Sequence, residues 1–297
     1  PPTVLSQIGH ELQIAPAAVM RVRRSANRKA LMQILDVNGR TVGYAKIARD
    51  ARTAAGIQTE TRMLQQLAGG TKAVRTPKVI LTGELGGLPY LVTEPLPRTL
   101  RGMRPGGPPP SIEEFAELMP VSRWAPPART RHFRGLETRA QMVTSRGLGP
   151  GIDDLLQGVR NIGETLPVTS RFHGDFAFWN LGRSSDGRLW CWDFEDATDD
   201  ALAGMDIVHW HASTRRRSHG AAGLLDFAGI LNDAAEALRA VGIGSVRARA
   251  ALMHTYIAEI ALRTLEVVAS SGWAGAWCTR NELDLLIDST LKSDSFT

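Results

Sequence analysis

The chain has 297 residues, 43% of them hydrophobic and 22% charged, with a formal net charge of +5 at pH 7. That balance is that of an ordinary globular protein with enough apolar residues for one large domain or two lobes, and no apolar run approaches the roughly 20 residues of a membrane span. Cys191 and Cys278 are the only cysteines, which excludes a disulfide framework and leaves two core thiols as the expectation. No charged-then-apolar leader opens the sequence, so a cytoplasmic location is expected. Lys occurs only at 29, 46, 72, 78 and 292, so the basic excess is almost all Arg. Such a bias reflects codon composition more than a nucleic-acid partner, and it makes a Lys in a demanding position more telling.

Strand-like alternation runs over 19–23, 30–35 and 41–48, and Asn38-Gly39 between the last two is a strong hairpin signal. The loop Arg24-Ser25-Ala26-Asn27-Arg28 has no glycine. Met63, Leu64 and Leu67 give helical spacing over roughly 57–68, ended by Gly69-Gly70, and two more strand-like runs follow at 78–82 and 88–93. Next comes Glu94-Pro95-Leu96-Pro97; its prolines lack an N–H, so between Glu94 and Arg98 only Leu96 can donate from the backbone. Gly/Pro density marks a loop from Arg101 to Pro110. Residues 120–150 carry Arg123, Arg129, Arg131, Arg134, Arg139 and Arg146 against Glu137 alone. Helical pattern returns near 151–163, a hairpin is expected around Ser184–Gly187, and from Ala201 amphipathic helices follow, with breaks near Gly220, Gly242-Ile243-Gly244 and Ser270-Ser271-Gly272.

The most informative run is His173-Gly174-Asp175-Phe176-Ala177-Phe178-Trp179-Asn180, followed by Asp193-Phe194-Glu195. An Asp and an Asn five positions apart on one loop can serve a phosphoryl-transfer centre. The Asp orients or deprotonates a hydroxyl, the Asn holds magnesium, and a carboxylate on a nearby hairpin completes the metal site. Glu195, two residues beyond Asp193 on extended chain, shares its face and is either a second metal ligand or a structural acceptor. His209 and His211 lie two apart on a helix and do not face each other, so no zinc site is expected there. The tryptophans at 179, 190, 192 and 210 are expected mostly in the core.

The order His-Gly-Asp, four residues, Asn, then Asp-Phe-Glu after a hairpin resembles the aminoglycoside phosphotransferase and choline kinase family of the protein-kinase-like fold. The resemblance implies an α+β, two-lobed chain: a small five-stranded amino-terminal lobe with one helix over 1–96, and a larger, mostly helical catalytic and acceptor-binding lobe over 97–297. Lys46 and Glu60 match the family's phosphate-contacting Lys and its Glu partner. Ser25 falls in the phosphate loop, Glu94 C=O and Leu96 N–H fall where a hinge meets the purine, and Asp206 matches a structural Asp that binds catalytic-loop amides. Asp175 is then the base, and Asn180, Asp193 and Glu195 the metal residues. Protein kinases carry Arg where Gly174 stands, and only residues 194–201 separate Asp193 from the next helical pattern, too few to dock a peptide. The implied activity is magnesium-dependent transfer of the γ-phosphate of ATP or GTP to a hydroxyl of a small metabolite or natural product. The Arg-rich segment favours a neutral or anionic acceptor. Two rivals are an aminoglycoside-type antibiotic resistance kinase and a catalytically silent nucleotide-binding pseudokinase.

Overall fold

In the computed structural model the described residues are 6, 9, 10, 13, 17–21, 29–69, 71–274 and 276–292. The chain divides into two compact units, Pro1–Arg101 with Gly182–Ala197, and Gly102–Leu181 with Thr198–Thr297. The segment 182–197, expected in the second lobe, thus packs within the first unit.

The first unit is built on a five-stranded antiparallel sheet. Its strands are β1 (Ala17–Arg21), β2 (Ala30–Leu35), β3 (Thr41–Ile47), β5 (Val79–Leu85) and β6 (Leu88–Thr93), in the order β1-β2-β3-β6-β5. Met32 and Ile34 on β2, Ala45 and Ile47 on β3, and Tyr90 and Val92 on β6 are buried together, the period-two pattern of a sheet with one core face. The β2–β3 turn forms as its residues require: Asp36 Oδ1 accepts from the amides of Asn38 and Arg40, and Gly39 takes φ 72°.

One helix, Ala51–Leu67, follows β3 and buries Ile57, Glu60, Met63, Leu64 and Leu67, a stripe at helical spacing. It starts six residues before the apolar periodicity, because Asp50 and Thr53 form a capping box and the first turns are alanine-rich. A short strand β4 (Val74–Arg75), absent from the sequence expectation, pairs in parallel with Leu189–Cys191, the second arm of the hairpin that carries Gly187 at φ 80°.

The second unit is mostly helical, around the long helix Val246–Ser271, which buries fourteen of its residues against the helices Arg131–Thr144, Ile152–Arg160, Met205–Leu225 and Arg280–Leu291. A three-stranded sheet, Ala201–Leu202 beside Leu166–Thr169 beside Val121–Ala125, leads into the loop carrying His173 to Asn180. The expected breaks appear: Gly220 leaves helical geometry, and Gly242 and Gly272 take positive φ. Both cysteines are buried thiols. Among the described residues no helix is long and apolar enough to cross a membrane.

Candidate functional site

In the first unit the alternation of β3 turns Ala45 and Ile47 into the core and Lys46 to the other face. Glu60 lies on the buried stripe of the following helix and is only 2% exposed. The Lys46 ammonium contacts Glu60 Oε1 at 2.7 Å, Glu60 Oε2 at 2.6 Å and Asp193 Oδ1 at 2.5 Å. Burial disfavours its charge, but Glu60 and Asp193 outweigh that and raise its pKa above the ordinary lysine value. Asp193 sits at φ 68°, a left-handed backbone that a short polar residue tolerates.

Lys29, which sequence reasoning missed, stands between the carboxylates of the Asp-Phe-Glu run. Its ammonium is 2.9 Å from Asp193 Oδ1 and 2.5 Å from Glu195 Oε2. Against the desolvation of burial, Lys46 and Lys29 hold the Asp193 carboxyl below the usual range. Burial and the neighbouring Asp193 charge push the Glu195 carboxyl up. The signal was the scarcity of Lys. The helix backbone also comes close here: a Cβ added at Gly56 would lie 3.3 Å from Glu195 Cβ.

Asp193 and Glu195 are hard oxygen donors of the kind magnesium takes, and Lys29 already supplies a cation between them, so the pair fits a divalent ion. Among the described residues no three His, Cys, Asp or Glu side chains gather as a metal cluster. Such a cation would complete its shell with phosphate or water, as magnesium commonly does. At the expected hinge, Glu94 N–H donates to Lys78 O at 2.9 Å and Glu94 Oε1 accepts from Lys78 N at 3.1 Å. Glu94 C=O and Leu96 N–H take no hydrogen bond among the described residues. Ser25 lies outside the described residues.

The second unit holds the His-Gly-Asp loop. Asp206, fully buried at the start of helix Met205–Leu225, accepts from the amides of His173 at 2.7 Å and Gly174 at 3.0 Å. Gly174 has φ 88°, a left-handed conformation that an Arg would adopt only with strain. Its carbonyl accepts from Arg263 Nη1 at 2.7 Å. His173 is buried against Phe176, and its Nδ1 accepts from the Asp175 amide at 3.2 Å, so its ring shapes the loop.

The Asp175 carboxylate is bound on both oxygens. Oδ1 lies 3.1 Å from His209 Nε2, and Oδ2 accepts from Trp179 Nε1 at 2.9 Å and Asn180 Nδ2 at 2.8 Å. Burial works against its ionisation, but His209 and Trp179 prevail and bring the pKa down to about 2. Asn180 donates through Nδ2, so its Oδ1 remains available as a ligand. Trp179, expected in the core, is instead 42% exposed.

The uncompensated charge expected over 120–150 is largely compensated by residues distant in sequence. Arg123 pairs with Asp200, Arg131 with Asp199, and Arg139 with Glu259 and Glu266. Arg129 and Arg134 are exposed and without an ion pair among the described residues.

No protein-family model and no curated protein matches the sequence. Solved structures do match the fold. A variant of aminoglycoside 2'-phosphotransferase-IIIa in complex with GDP is 14% identical, covering 98% of this chain and 97% of that one at TM-score 0.54. A protein from Haemophilus somnus 129PT assigned as a fructosamine-3-kinase is 13% identical, with 97% of each chain covered and TM-score 0.61. An ethanolamine kinase of Plasmodium vivax is 9% identical, with 99% and 85% covered and TM-score 0.56. The chain therefore has the protein-kinase-like α+β fold of these phosphotransferases, as the motif order implied.

Proposed function

We propose that the chain is a small-molecule kinase that moves the γ-phosphate of ATP or GTP to a hydroxyl with the help of magnesium. The observation that carries this reading is the Lys46 ammonium held between Glu60 and Asp193, a compact cation fixed by two carboxylates in a fold shared with phosphotransferases. Lys46 serves the nucleotide phosphates, and Glu60 fixes it against the sheet. A point charge suits phosphate there better than the planar fork of Arg. Asp193, with Glu195 beside it, would hold magnesium, which when bound neutralises phosphate charge, and Asn180 is assigned a metal contact on sequence alone. Glu94 C=O and Leu96 N–H read the purine edge, and Ser25 is assigned a phosphate contact on sequence alone.

Asp175 receives the proton of the acceptor hydroxyl. With its pKa near 2 it is ionised at neutral pH and ready to orient that hydroxyl. Phosphoryl transfer needs little more from a base, since most of the rate comes from positioning and charge neutralisation. The solved neighbours named for aminoglycosides, a fructosamine and ethanolamine support a small hydroxyl-bearing acceptor. The exposed guanidinium groups of Arg129 and Arg134 favour a neutral or anionic one.

Calorimetric titration with ATP and GTP, with and without magnesium, tests the assignment. Asp193→Ala should abolish the magnesium-dependent part of nucleotide binding, and Glu195→Ala should weaken it less. Equal affinity of Asp193→Ala and wild type in magnesium would remove Asp193 from the metal site.

A further inference from the structure

A carboxylate offers about four lone-pair sites. In Asp175 the two on Oδ2 are taken by Trp179 Nε1 and Asn180 Nδ2, and one on Oδ1 by His209 Nε2. Among the described residues nothing else donates to this carboxylate, so the site left for the proton of an acceptor hydroxyl is on Oδ1, beside His209. An ionised carboxylate only accepts. His209 Nε2 therefore carries the hydrogen, and Nδ1 lies in hydrogen-bond contact with the Tyr256 hydroxyl, 3.1 Å away.

The helix Met205–Leu225 holds the loop at two places, and Val246–Ser271 holds it once directly and once through His209. Met205–Leu225 supplies Asp206 to the loop amides and, one turn later on the same face, His209 to the carboxylate. Val246–Ser271 supplies Tyr256 to His209 and, two turns later, Arg263 to Gly174 O. His209 and Tyr256 are 4% and 2% exposed, so the chain from Tyr256 to Asp175 is packed on its far side.

We propose that His209, oriented by Tyr256, is a positioning residue that fixes the direction of Asp175 Oδ1 and so aims its remaining lone pair at the acceptor hydroxyl. The inference rests on the proposed kinase reaction with Asp175 as base. A carboxylate can rotate about its last bond at little cost. That rotation carries both oxygens together, and without His209 the carboxylate is held, among the described residues, only from the Oδ2 side by Trp179 and Asn180.

The full-length protein carrying His209→Leu, His209→Gln, Tyr256→Phe or Asp175→Asn is assayed for turnover of magnesium-ATP and magnesium-GTP with water as the acceptor, alongside melting temperature. His209→Leu should lower kcat about 100-fold, the order that an ångström of misplacement costs, with the nucleotide KM unchanged. His209→Gln, whose amide N–H can still reach Oδ1, should recover most of that loss, and Tyr256→Phe should fall between. If His209→Leu does not fold, Gln and Tyr256→Phe carry the test, and Tyr256→Phe must lower kcat at unchanged KM. Wild-type kcat in His209→Leu or Tyr256→Phe, or Gln as slow as Leu, overturns the proposal while Asp175→Asn is inactive. An active Asp175→Asn would instead sink the base assignment itself.

Discussion

Glu259→Gln removes the buried negative charge at the centre of a network in the second unit whose Arg139 also pairs with the partly exposed Glu266. Glu259 is 3% exposed and receives Arg139 Nη1 at 2.9 Å, His132 Nε2 at 2.9 Å and the Arg263 guanidinium, while Arg263 also holds Gly174 O. Breaking a buried pair by neutralising one partner costs about 3–5 kcal/mol, because the remaining charges stay desolvated. For a chain of this size that is a fall in melting temperature of roughly 10 °C. Burial opposes ionisation of Glu259, but Arg263 and Arg139 outweigh it and hold its carboxyl well below the ordinary 4.5. A depressed folded pKa contributes stability that is present above 4.5 and is lost as pH falls toward the folded value. Below pH 4.5 the wild type should therefore lose up to roughly 1.4 kcal/mol per pH unit through this group. The Gln variant has no such group, while Asp175 and Asp193 act alike in both proteins. Denaturant melts of both proteins from pH 7 to pH 3 should show a gap that is widest at neutral pH and narrows in acid. A gap below about 1 kcal/mol at pH 7, or one that stays constant into acid, refutes the reasoning.

Lys29→Met removes the cation between Asp193 and Glu195, so magnesium alone should bind about tenfold more tightly, as relief of about 1.4 kcal/mol of charge competition gives; unchanged magnesium affinity by calorimetry would contradict this. Arg129→Gln with Arg134→Gln should raise the acceptor KM about two- to fivefold, since exposed pairs contribute about 0.2–1 kcal/mol. That effect should fade with salt and leave the nucleotide KM alone. A shift in the nucleotide KM instead would place these arginines on the phosphate side.

Local chemistry made much of the fold legible. Asn38-Gly39 marked the β2–β3 turn, alternation placed Ala30–Leu35 to the residue, and Gly220, Gly242 and Gly272 marked helix breaks because each needs a backbone that other residues avoid. The start of helix Ala51–Leu67 was missed because its first turns carry capping and alanine but no apolar stripe. Within the site, spacing singled out Asp175, Asn180 and Asp193, and the family resemblance pointed to Lys46 and Glu60. It could not show Lys29 reaching across 164 residues to Asp193, nor Asp199, Asp200 and Glu259 compensating the Arg-rich segment, because only the folded chain brings these charges together. His209 was weighed against His211 as a metal pair, while its partner was the Asp175 carboxylate.

The central claim is phosphoryl transfer that depends on Asp175. Wild type and Asp175→Asn, matched for melting temperature and nucleotide affinity, are incubated with magnesium, ATP or GTP and a library of hydroxyl metabolites and antibiotics, and phosphate monoesters are followed by ³¹P NMR. Wild type should phosphorylate a small acceptor, and Asp175→Asn should do so at least about 100-fold more slowly. Nucleotide binding without transfer to any acceptor, or an Asp175→Asn rate within a few-fold of wild type, would contradict the account.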